Sequence, residues 1–291
     1  MERTGNSIKI VDILRSDELL DQGQEIAFTT ELHVLIRDQK LTLIAVPQSG
    51  DTSHVWLDTI ELEMPLMDGL KKIFFEKPIL SLPYKATHIY LDQWRYTLVP
   101  NDLDKSGTPE LWTALHTPID EQYVLSQQIA SEQLRLHYTV PLELYNFCQR
   151  SFSLPTYDHT LQPLIALATR LSRKSEPKLV MMRIGKAVVD VLYVADGVLE
   201  LVNRYQVRNE VDILYFVTAL WRQFFLSSES VPLFLYNSDS SFITDTFLDQ
   251  LNEYISRVEL NYYPGLLCPE EVIKRYEAEL PPEFILQLLC E

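Results

Sequence analysis

Four residues in the second half of the chain carry chemical groups that can take part in binding an anion or a nucleotide: Arg183, Gly185, Lys186 and Asp190. Guanidinium and ammonium groups pair with phosphate oxygens, glycine lets a backbone N–H approach an oxygen closely, and a carboxylate can hold a divalent cation. Asp38 is a carboxylate of the same kind in the first half of the chain. These five residues form the candidate nucleotide- or anion-binding set.

Arg183 and Asp190 also have simpler interpretations, which the sequence favours. Arg183, with Lys186, could form a surface salt bridge at a strand end, a contact that contributes little to stability. Asp190 lies in the apolar run VVDVLYV, and alternate side chains of a strand point to opposite faces. It could therefore be an exposed residue on the outer face of its strand.

Three consecutive strands are predicted to position these residues, over 178–184, 187–194 and 198–207. Ala195, Asp196 and Gly197 form the tight turn between the last two strands. The elements predicted after them are a helix with Asn209 as its N-cap, a strand (231–236), a helix (242–255), a strand (257–263) and a helix (269–280).

The first half of the chain shows the same order of elements. Residues 31–62 read as a three-strand meander, which Pro65 ends. The elements predicted after it are a helix from residue 66, a strand (87–91), a helix near Pro109, a strand pair (123–129 and 133–140) and a helix opened by Pro141.

Both halves thus run βββ-α-β-α-β-α, which predicts two domains, residues 1–175 and 176–291. A helix over 159–173, for which Asp158 is the predicted N-cap, joins them, and the polar stretch 172–177 has the composition of a linker. Asp158 beside His159 could also serve acid–base chemistry, although capping is the favoured role.

Composition excludes several classes of function. The 291 residues are 46% apolar, enough for real cores, yet the longest uncharged apolar run is far short of the roughly 20 residues of a membrane helix. No signal-peptide pattern is present, so a cytoplasmic location without membrane insertion is expected. A net charge of −16 repels phosphate backbones, so no nucleic-acid partner is expected.

Glycine and cysteine usage narrow the chemistry further. The chain has 8 glycines, where average usage would give about 20, and no Gly-x-Gly, so both common phosphate-binding fingerprints are absent. Cys148, Cys268 and Cys290 are irregularly spaced and support neither a disulfide framework nor a zinc knuckle. The histidines do not have metal-ligand spacing. No metal site and no cofactor are expected.

The duplicated βββ-α-β-α-β-α plan resembles the actin-like ATPases, a duplicated ribonuclease-H-like α/β fold around a cleft. The Val140-Pro141 start, the Ile184-Gly185 strand end, the Asp196-Gly197 hairpin and Asn203-Arg204 look like the pilus-assembly and cell-division branch. Across residues 25–285, with Leu98-Val99-Pro100 in the first half, the chain most resembles an uncharacterised Bacteroidetes family with an actin-like ATPase fold.

That resemblance implies a nucleotide site whose usual residues are replaced in this chain. Arg183 stands where active relatives carry the aspartate that holds a magnesium-bound water, and Val189 stands near an expected hydroxyl. The first hairpin, residues 36–40, lacks glycine and a small hydroxyl, and residues 236–239 lack a glycine pair. A guanidinium in place of a carboxylate repels Mg²⁺.

Three functions remain open at this point. The leading one is a non-catalytic, actin-like protein with a degenerate nucleotide site that binds another protein or serves as a scaffold. The alternative is an ATP-binding or ATP-hydrolysing enzyme that uses ATP and Mg²⁺, with Asp190 or Asp38 serving the metal. The third is self-assembly into a homo-oligomer or filament.

Overall fold

The computed structural model describes residues 26–37, 40–49, 55–92, 95–104, 109–114, 120–129, 133–237 and 242–290. The chain divides into two compact units, Met1–Gln162 and Pro163–Glu291. The sequence instead sets the domain boundary at residues 175 and 176, after the connecting helix, and that boundary stays a prediction. Within the described ranges, every helix is too short or too polar to cross a bilayer.

The first unit combines two sheets with short helices. Its elements in chain order are β1 (Thr30–Arg37), β2 (Lys40–Pro47), β3 (Trp56–Glu61), α1 (Leu66–Glu76), a 3-10 turn (Pro78–Ser81), β4 (Ala86–Leu91), β5 (Tyr96–Pro100), α2 (Pro109–Ala114), β6 (Gln122–Ile129), β7 (Leu134–Pro141), α3 (Leu142–Ser151) and β8 (Pro155–His159). The main sheet has the strand order β3-β2-β1-β4-β8, and β5, β7 and β6 form a separate three-stranded sheet.

The second unit has one five-stranded sheet. The elements from the division onward are α4 (Leu161–Lys174), β9 (Lys178–Ile184), β10 (Val188–Ala195), β11 (Val198–Gln206), α5 (Glu210–Gln223), β12 (Leu233–Asn237), α6 (Asp245–Tyr254), β13 (Val258–Leu260), α7 (Glu270–Tyr276) and α8 (Pro282–Leu289). The sheet order is β11-β10-β9-β12-β13.

The two five-stranded sheets share one topology. In each, three antiparallel strands are followed by two strands that run parallel to the first of the three. This identity of strand order confirms the duplicated fold. In the first unit, however, β5, α2, β6 and β7 interrupt the repeat, and the predicted strand pair 123–129 and 133–140 lies in the separate sheet. The main sheet is completed instead by β8, which was not predicted. The helix α8 was not predicted, although Pro282 at its first turn and acidic Glu283 next to it are typical of a helix start.

The hairpin between β10 and β11 turns at the predicted residues. Asp196 and Gly197 have φ values of 51° and 76°, the left-handed pair that a two-residue hairpin turn requires. A Cβ atom on Gly197 would clash with the Arg173 side chain, and Arg173 Nη2 donates a hydrogen bond to the Gly197 carbonyl at 2.8 Å. The turn is thereby fixed to the end of α4.

The start of α4 differs from the prediction. Asp158 lies in β8, paired in parallel with β4, and its carboxylate accepts a 2.6 Å hydrogen bond from Gln127 Nε2. The helix is capped instead by buried His159, whose Nδ1 accepts the Leu161 N–H at 3.1 Å. The capping role predicted for Asp158 is therefore wrong, because the chain remains extended through His159. The cap predicted at Asn209 is confirmed, since its side chain accepts from Val211 N and Asp212 N.

A stacked pair of histidines, His33 buried and His88 half-buried, lies in the main sheet of the first unit. His33 in β1 is paired with His88 in β4, and their rings stack with centroids 4.8 Å apart. Burial, and secondarily the charge of His88, lower the pKa of His33 from 6.5 to about 3. His33 is therefore neutral in the folded protein over most of the acidic range.

We predict that His33 makes the first unit sensitive to acid. Between pH 6.5 and 3 the unfolded chain binds a proton at His33 that the folded chain does not, so stability falls as pH decreases through this window, by about 1.4 kcal/mol per pH unit. The substitution His33→Phe should flatten the dependence of the free energy of unfolding on pH between 5 and 6.5, measured with urea. An unchanged slope would contradict this assignment.

Candidate functional site

A row of polar side chains crosses the second sheet at the level of the candidate residues. The strand pairing places Asp190 of β10 opposite Arg183 of β9 on one side and opposite Arg204 of β11 on the other. Tyr236 of β12 extends the row beyond Arg183. Neighbouring residues such as Met182 pack with α5 and α6 in the apolar core, so the row occupies the opposite face of the sheet.

The Asp190 carboxylate is the centre of this row. Its Oδ2 accepts hydrogen bonds from Arg183 Nε (2.9 Å), Arg183 Nη2 (2.6 Å) and Arg204 Nη2 (2.8 Å). Its Oδ1 accepts from Arg204 Nε at 2.6 Å. Both oxygens are therefore directed at guanidinium groups, which are among the strongest hydrogen-bond partners of a carboxylate.

A second carboxylate reaches the row from the C-terminal part of the chain. Glu283 in the first turn of α8 lies with its Oε1 3.5 Å from Arg183 Nη1. The side chains of Arg183, Asp190, Arg204 and Glu283 are 3%, 1%, 5% and 0% exposed. We call these four residues the charge cluster. Its formal charges sum to zero, so that attraction between the buried ions offsets part of the cost of removing them from water.

The four candidate residues that the structure describes do not form one site. It brings Arg183 and Asp190 into direct contact inside the unit, so neither the surface salt bridge expected for Arg183 nor the exposed position expected for Asp190 occurs. The N–H of Gly185 donates to the Val188 carbonyl at 2.8 Å and closes the hairpin. Lys186 is exposed in the same turn. Asp38 lies outside the described residues.

Arg204 and Glu283 were not predicted to belong to the site. The turn at Asp196 and Gly197 would set Asn203 opposite Asp190, but a bulge at Tyr193 and Val194 shifts the pairing by one residue. That shift brings Arg204 next to Asp190. The sequence signal for the contact between Asp190 and Arg204 was that an arginine lies one residue from the position on β11 expected to pair with Asp190.

Tyr236 completes the row through its hydroxyl group. The hydroxyl donates to the Tyr262 carbonyl at 2.9 Å, and the side chain is almost fully buried. Burial, and secondarily the negative charge of Glu283, raise the pKa of Tyr236 well above its usual value. The hydroxyl therefore stays protonated and remains a hydrogen-bond donor.

A disulfide holds the helix that carries Glu283. Cys268, before α7, is bonded to Cys290, after α8, with their Cα atoms 5.4 Å apart. The prediction that the cysteines form no disulfide is wrong for this pair, because α7 and α8 fold back on each other and bring the two residues together. Cys148 is the buried, apolar-type residue that was expected, and burial raises the pKa of its thiol to about 12.

The arrangement is suited to holding charge in place. A divalent cation would need carboxylate oxygens that are open to it, whereas both oxygens of Asp190 accept from cations. Among the described residues, no group of three or more His, Cys, Asp or Glu side chains could hold a metal ion. The chemistry of the charge cluster is therefore the mutual neutralisation of two guanidinium groups by two carboxylates.

Comparison with known proteins places this fold in a family. Residues 24–258 match the family described as protein of unknown function (DUF3822). A Bacteroides thetaiotaomicron protein with an actin-like ATPase fold and unknown function is similar, with 18% identity over 92% of this chain and 98% of that one, at a TM-score of 0.77. No curated protein matches the sequence significantly.

A second solved structure of similar fold is the PilM–PilN type IV pilus biogenesis complex. The identity is 14%, the alignment covers 89% of this chain and 97% of that one, and the TM-score is 0.51. These likenesses confirm the predicted fold class, a duplicated ribonuclease-H-like fold of the actin-like ATPase type. They also confirm the resemblance to an uncharacterised family with that fold.

We predict that Asp190→Asn is strongly destabilising. The variant leaves two buried guanidinium groups against one carboxylate, and breaking a buried ion pair costs about 3–5 kcal/mol. The free energy of unfolding, measured with guanidinium chloride, should fall by this amount. Glu270→Gln is the matched control, since Glu270 pairs with Lys274 at 2.6 Å on the surface, where loss of the pair should be hard to detect. Equal effects of both variants would contradict the proposed role of the cluster.

The disulfide gives a separate prediction. Cys290→Ser should lower the free energy of unfolding by on the order of 3 kcal/mol in the absence of reductant, because the cross-link restricts the unfolded chain. Dithiothreitol should lower the melting temperature of the native protein to that of the variant and leave the variant unchanged. A native protein whose melting temperature does not respond to dithiothreitol would contradict a stabilising disulfide.

Proposed function

We propose that this chain, which belongs to the DUF3822 family of proteins of unknown function, is a non-catalytic protein that acts by binding another protein. The observation that carries this proposal is the saturation of Asp190 by Arg183 and Arg204 inside the second unit. In this proposal the nucleotide site that the fold implies is degenerate.

The position of Arg183 supports the loss of magnesium chemistry. It is the last residue but one of β9, before the second-half hairpin, at the position implied for a metal-associated aspartate in active relatives. Its guanidinium is held by Asp190 and Glu283, so it cannot turn away from a bound cation without leaving buried carboxylates uncompensated. A cation at this position would meet a fixed positive charge.

The same geometry weighs against the enzyme alternative in which Asp190 serves the metal. To coordinate Mg²⁺, Asp190 would have to give up hydrogen bonds from one or both arginines, and each guanidinium would then be buried without its partner. Gly185 cannot offer its N–H to phosphate while it donates to Val188. Of the four candidate residues that the structure describes, Lys186 is the exposed one, and a single lysine is a weak basis for a phosphate site.

A protein-binding role agrees with the use of this fold elsewhere. In the PilM–PilN complex a chain of similar fold is part of an assembly of two proteins. We extend protein binding to this chain as a proposal, with the partner unidentified and the −16 net charge disfavouring nucleic acid. ATP and Mg²⁺ are not required for this role.

The decisive experiment is a calorimetric titration of the intact protein with ATP, once with Mg²⁺ and once with EDTA. We expect no Mg²⁺-dependent heat, because the cation finds guanidinium groups instead of free carboxylate oxygens. In an assay of phosphate release from ATP, the protein should likewise release phosphate no faster than the buffer alone. Micromolar binding that depends on Mg²⁺, or phosphate release that disappears in Asp190→Asn while the variant remains folded, would overturn the proposal.

A further inference from the structure

The helix α5 has an apolar strip on its solvent side. Val211 is 64% exposed and Tyr215 is 65% exposed, and Thr218 and Arg222 continue the same face at helical spacing. The opposite face of the helix carries its buried residues, which are Ile213, Val217, Leu220 and Trp221. Val211 and Tyr215 therefore lie outside the apolar core of the unit, and their side chains are available at the surface.

Phe225, two residues after α5, extends this strip in a strained conformation. Its φ of 52° lies in the left-handed region, which is unfavourable for a bulky residue, and its side chain is 94% exposed. The N–H of Leu226 donates to the Trp221 carbonyl at 3.0 Å, the hydrogen bond that commonly follows a left-handed residue at a helix end. Glycine is the usual residue at such a position.

Phe225 is therefore unfavourable for stability in two ways, through its backbone and through its exposed ring. Its neighbour Phe224 behaves in the ordinary manner, packing on Tyr193 with ring centroids 4.7 Å apart. Strained residues of this kind cluster at binding sites, where the surrounding structure holds them in place. The exposed Phe225 ring is therefore available for a contact outside the chain.

A groove of about 590 Å³ lies beside this ring. It is lined by Tyr215, Thr218, Ala219, Arg222, Gln223 and Phe225. Arg222 is exposed and, within the described part of the chain, forms no ion pair, although acidic residues outnumber basic ones by 41 to 25. The groove thus combines two exposed aromatic rings with one available positive charge.

We propose that this groove binds a short segment of a partner protein through one apolar side chain and one carboxylate. The apolar side chain, aromatic or branched aliphatic, lies between Tyr215 and Phe225, and the carboxylate pairs with Arg222. This inference rests on the protein-binding function proposed above and assigns it a site. Tyrosine, phenylalanine and arginine are typical of the residues that anchor such interfaces.

The charges favour a partner segment over a second copy of the chain. Two copies docked through the same strip would bring Arg222 near its own counterpart, and each copy carries a net charge of −16. A peptide with a single carboxylate close to its apolar anchor satisfies Arg222 with the least repulsion from the rest of the surface. The open groove also suits a protruding side chain better than an enclosed small molecule.

The test is a selection of peptides from a phage-displayed random library on the intact protein. Enriched peptides should share an aromatic or branched aliphatic residue with Asp or Glu within about four positions. Their affinities, measured by fluorescence anisotropy, should fall by roughly tenfold or more in Phe225→Gly, in Phe225→Ala and in Arg222→Glu. Phe225→Gly should at the same time raise the melting temperature, because glycine tolerates positive φ.

Leu154→Gly is the matched control. Leu154 also has a positive φ, 44°, and is 72% exposed, but it belongs to the first unit. Its replacement should raise the melting temperature as Phe225→Gly does and leave peptide affinity unchanged. If Phe225→Gly weakens peptide binding while raising the melting temperature, and Leu154→Gly only raises the melting temperature, then Phe225 has a binding role and not a structural one.

Several results would overturn the assignment. One is that no selected peptide depends on Phe225 for binding. Another is that the selected peptides lack a carboxylate and bind the Arg222→Glu variant as tightly as the native protein. A third is that the native protein self-associates in sedimentation experiments and that Phe225→Gly abolishes this self-association. Peptides that bind another face, located by hydrogen exchange, would overturn the groove and leave the protein-binding function standing. Magnesium-dependent ATP turnover would overturn that function and leave the peptide result unaffected.

Discussion

An ionised carboxylate inside a sheet must be neutralised by the protein, because water cannot reach it. Asp190 meets this requirement with one guanidinium from each neighbouring strand, and Glu283 then returns the total charge to zero. Other features of the second unit follow from this requirement. The bulge in β10 and β11 delivers Arg204, and α8, held by the disulfide, delivers Glu283.

The same cluster links fold and function. In a metal-dependent enzyme, carboxylates at a strand end are kept open for a cation, whereas here the strand end presents Arg183 and its partner carboxylates face inward. The strand order of the fold is retained, and next to the end of β9 this chain carries a guanidinium where the resemblance implies a carboxylate. The proposed binding site lies apart from this row, on the outer side of α5, so the sheet provides a rigid support for it.

Local signals in the sequence were sufficient to predict much of the secondary structure of the second unit. The three strands β9 to β11, the turn at Asp196 and Gly197 and the cap at Asn209 depend on side-chain alternation, positive φ and hydrogen bonds between near neighbours. Asp158 shows the limit of such signals, because an aspartate before a helix can equally end a strand. Its assignment depended on the pairing of β8 with β4, which residues 155–159 do not reveal by themselves.

The candidate site depended still more on distant contacts. Arg183 was identified because it stands where the resemblance implies an aspartate, and Asp190 because it lies inside an apolar strand. Their contact depends on the register of one hairpin, and their burial also involves α8. Arg204 escaped prediction because a bulge changes the strand register by one residue, and no residue type marks that bulge. The pairing of Cys268 with Cys290 likewise depends on how α7 and α8 fold back, which spacing in the sequence does not determine.

The 100 residues between Arg183 and Glu283 also constrain the order in which the unit folds. Before α8 docks, Arg183, Asp190 and Arg204 carry one excess positive charge, which remains tolerable only while water reaches it. The hairpins can form early from nearby residues, whereas desolvation of the charged face must wait for a contact of high sequence separation. We therefore expect α8 to dock after the hairpins have formed, with the charged face of this sheet hydrated until then.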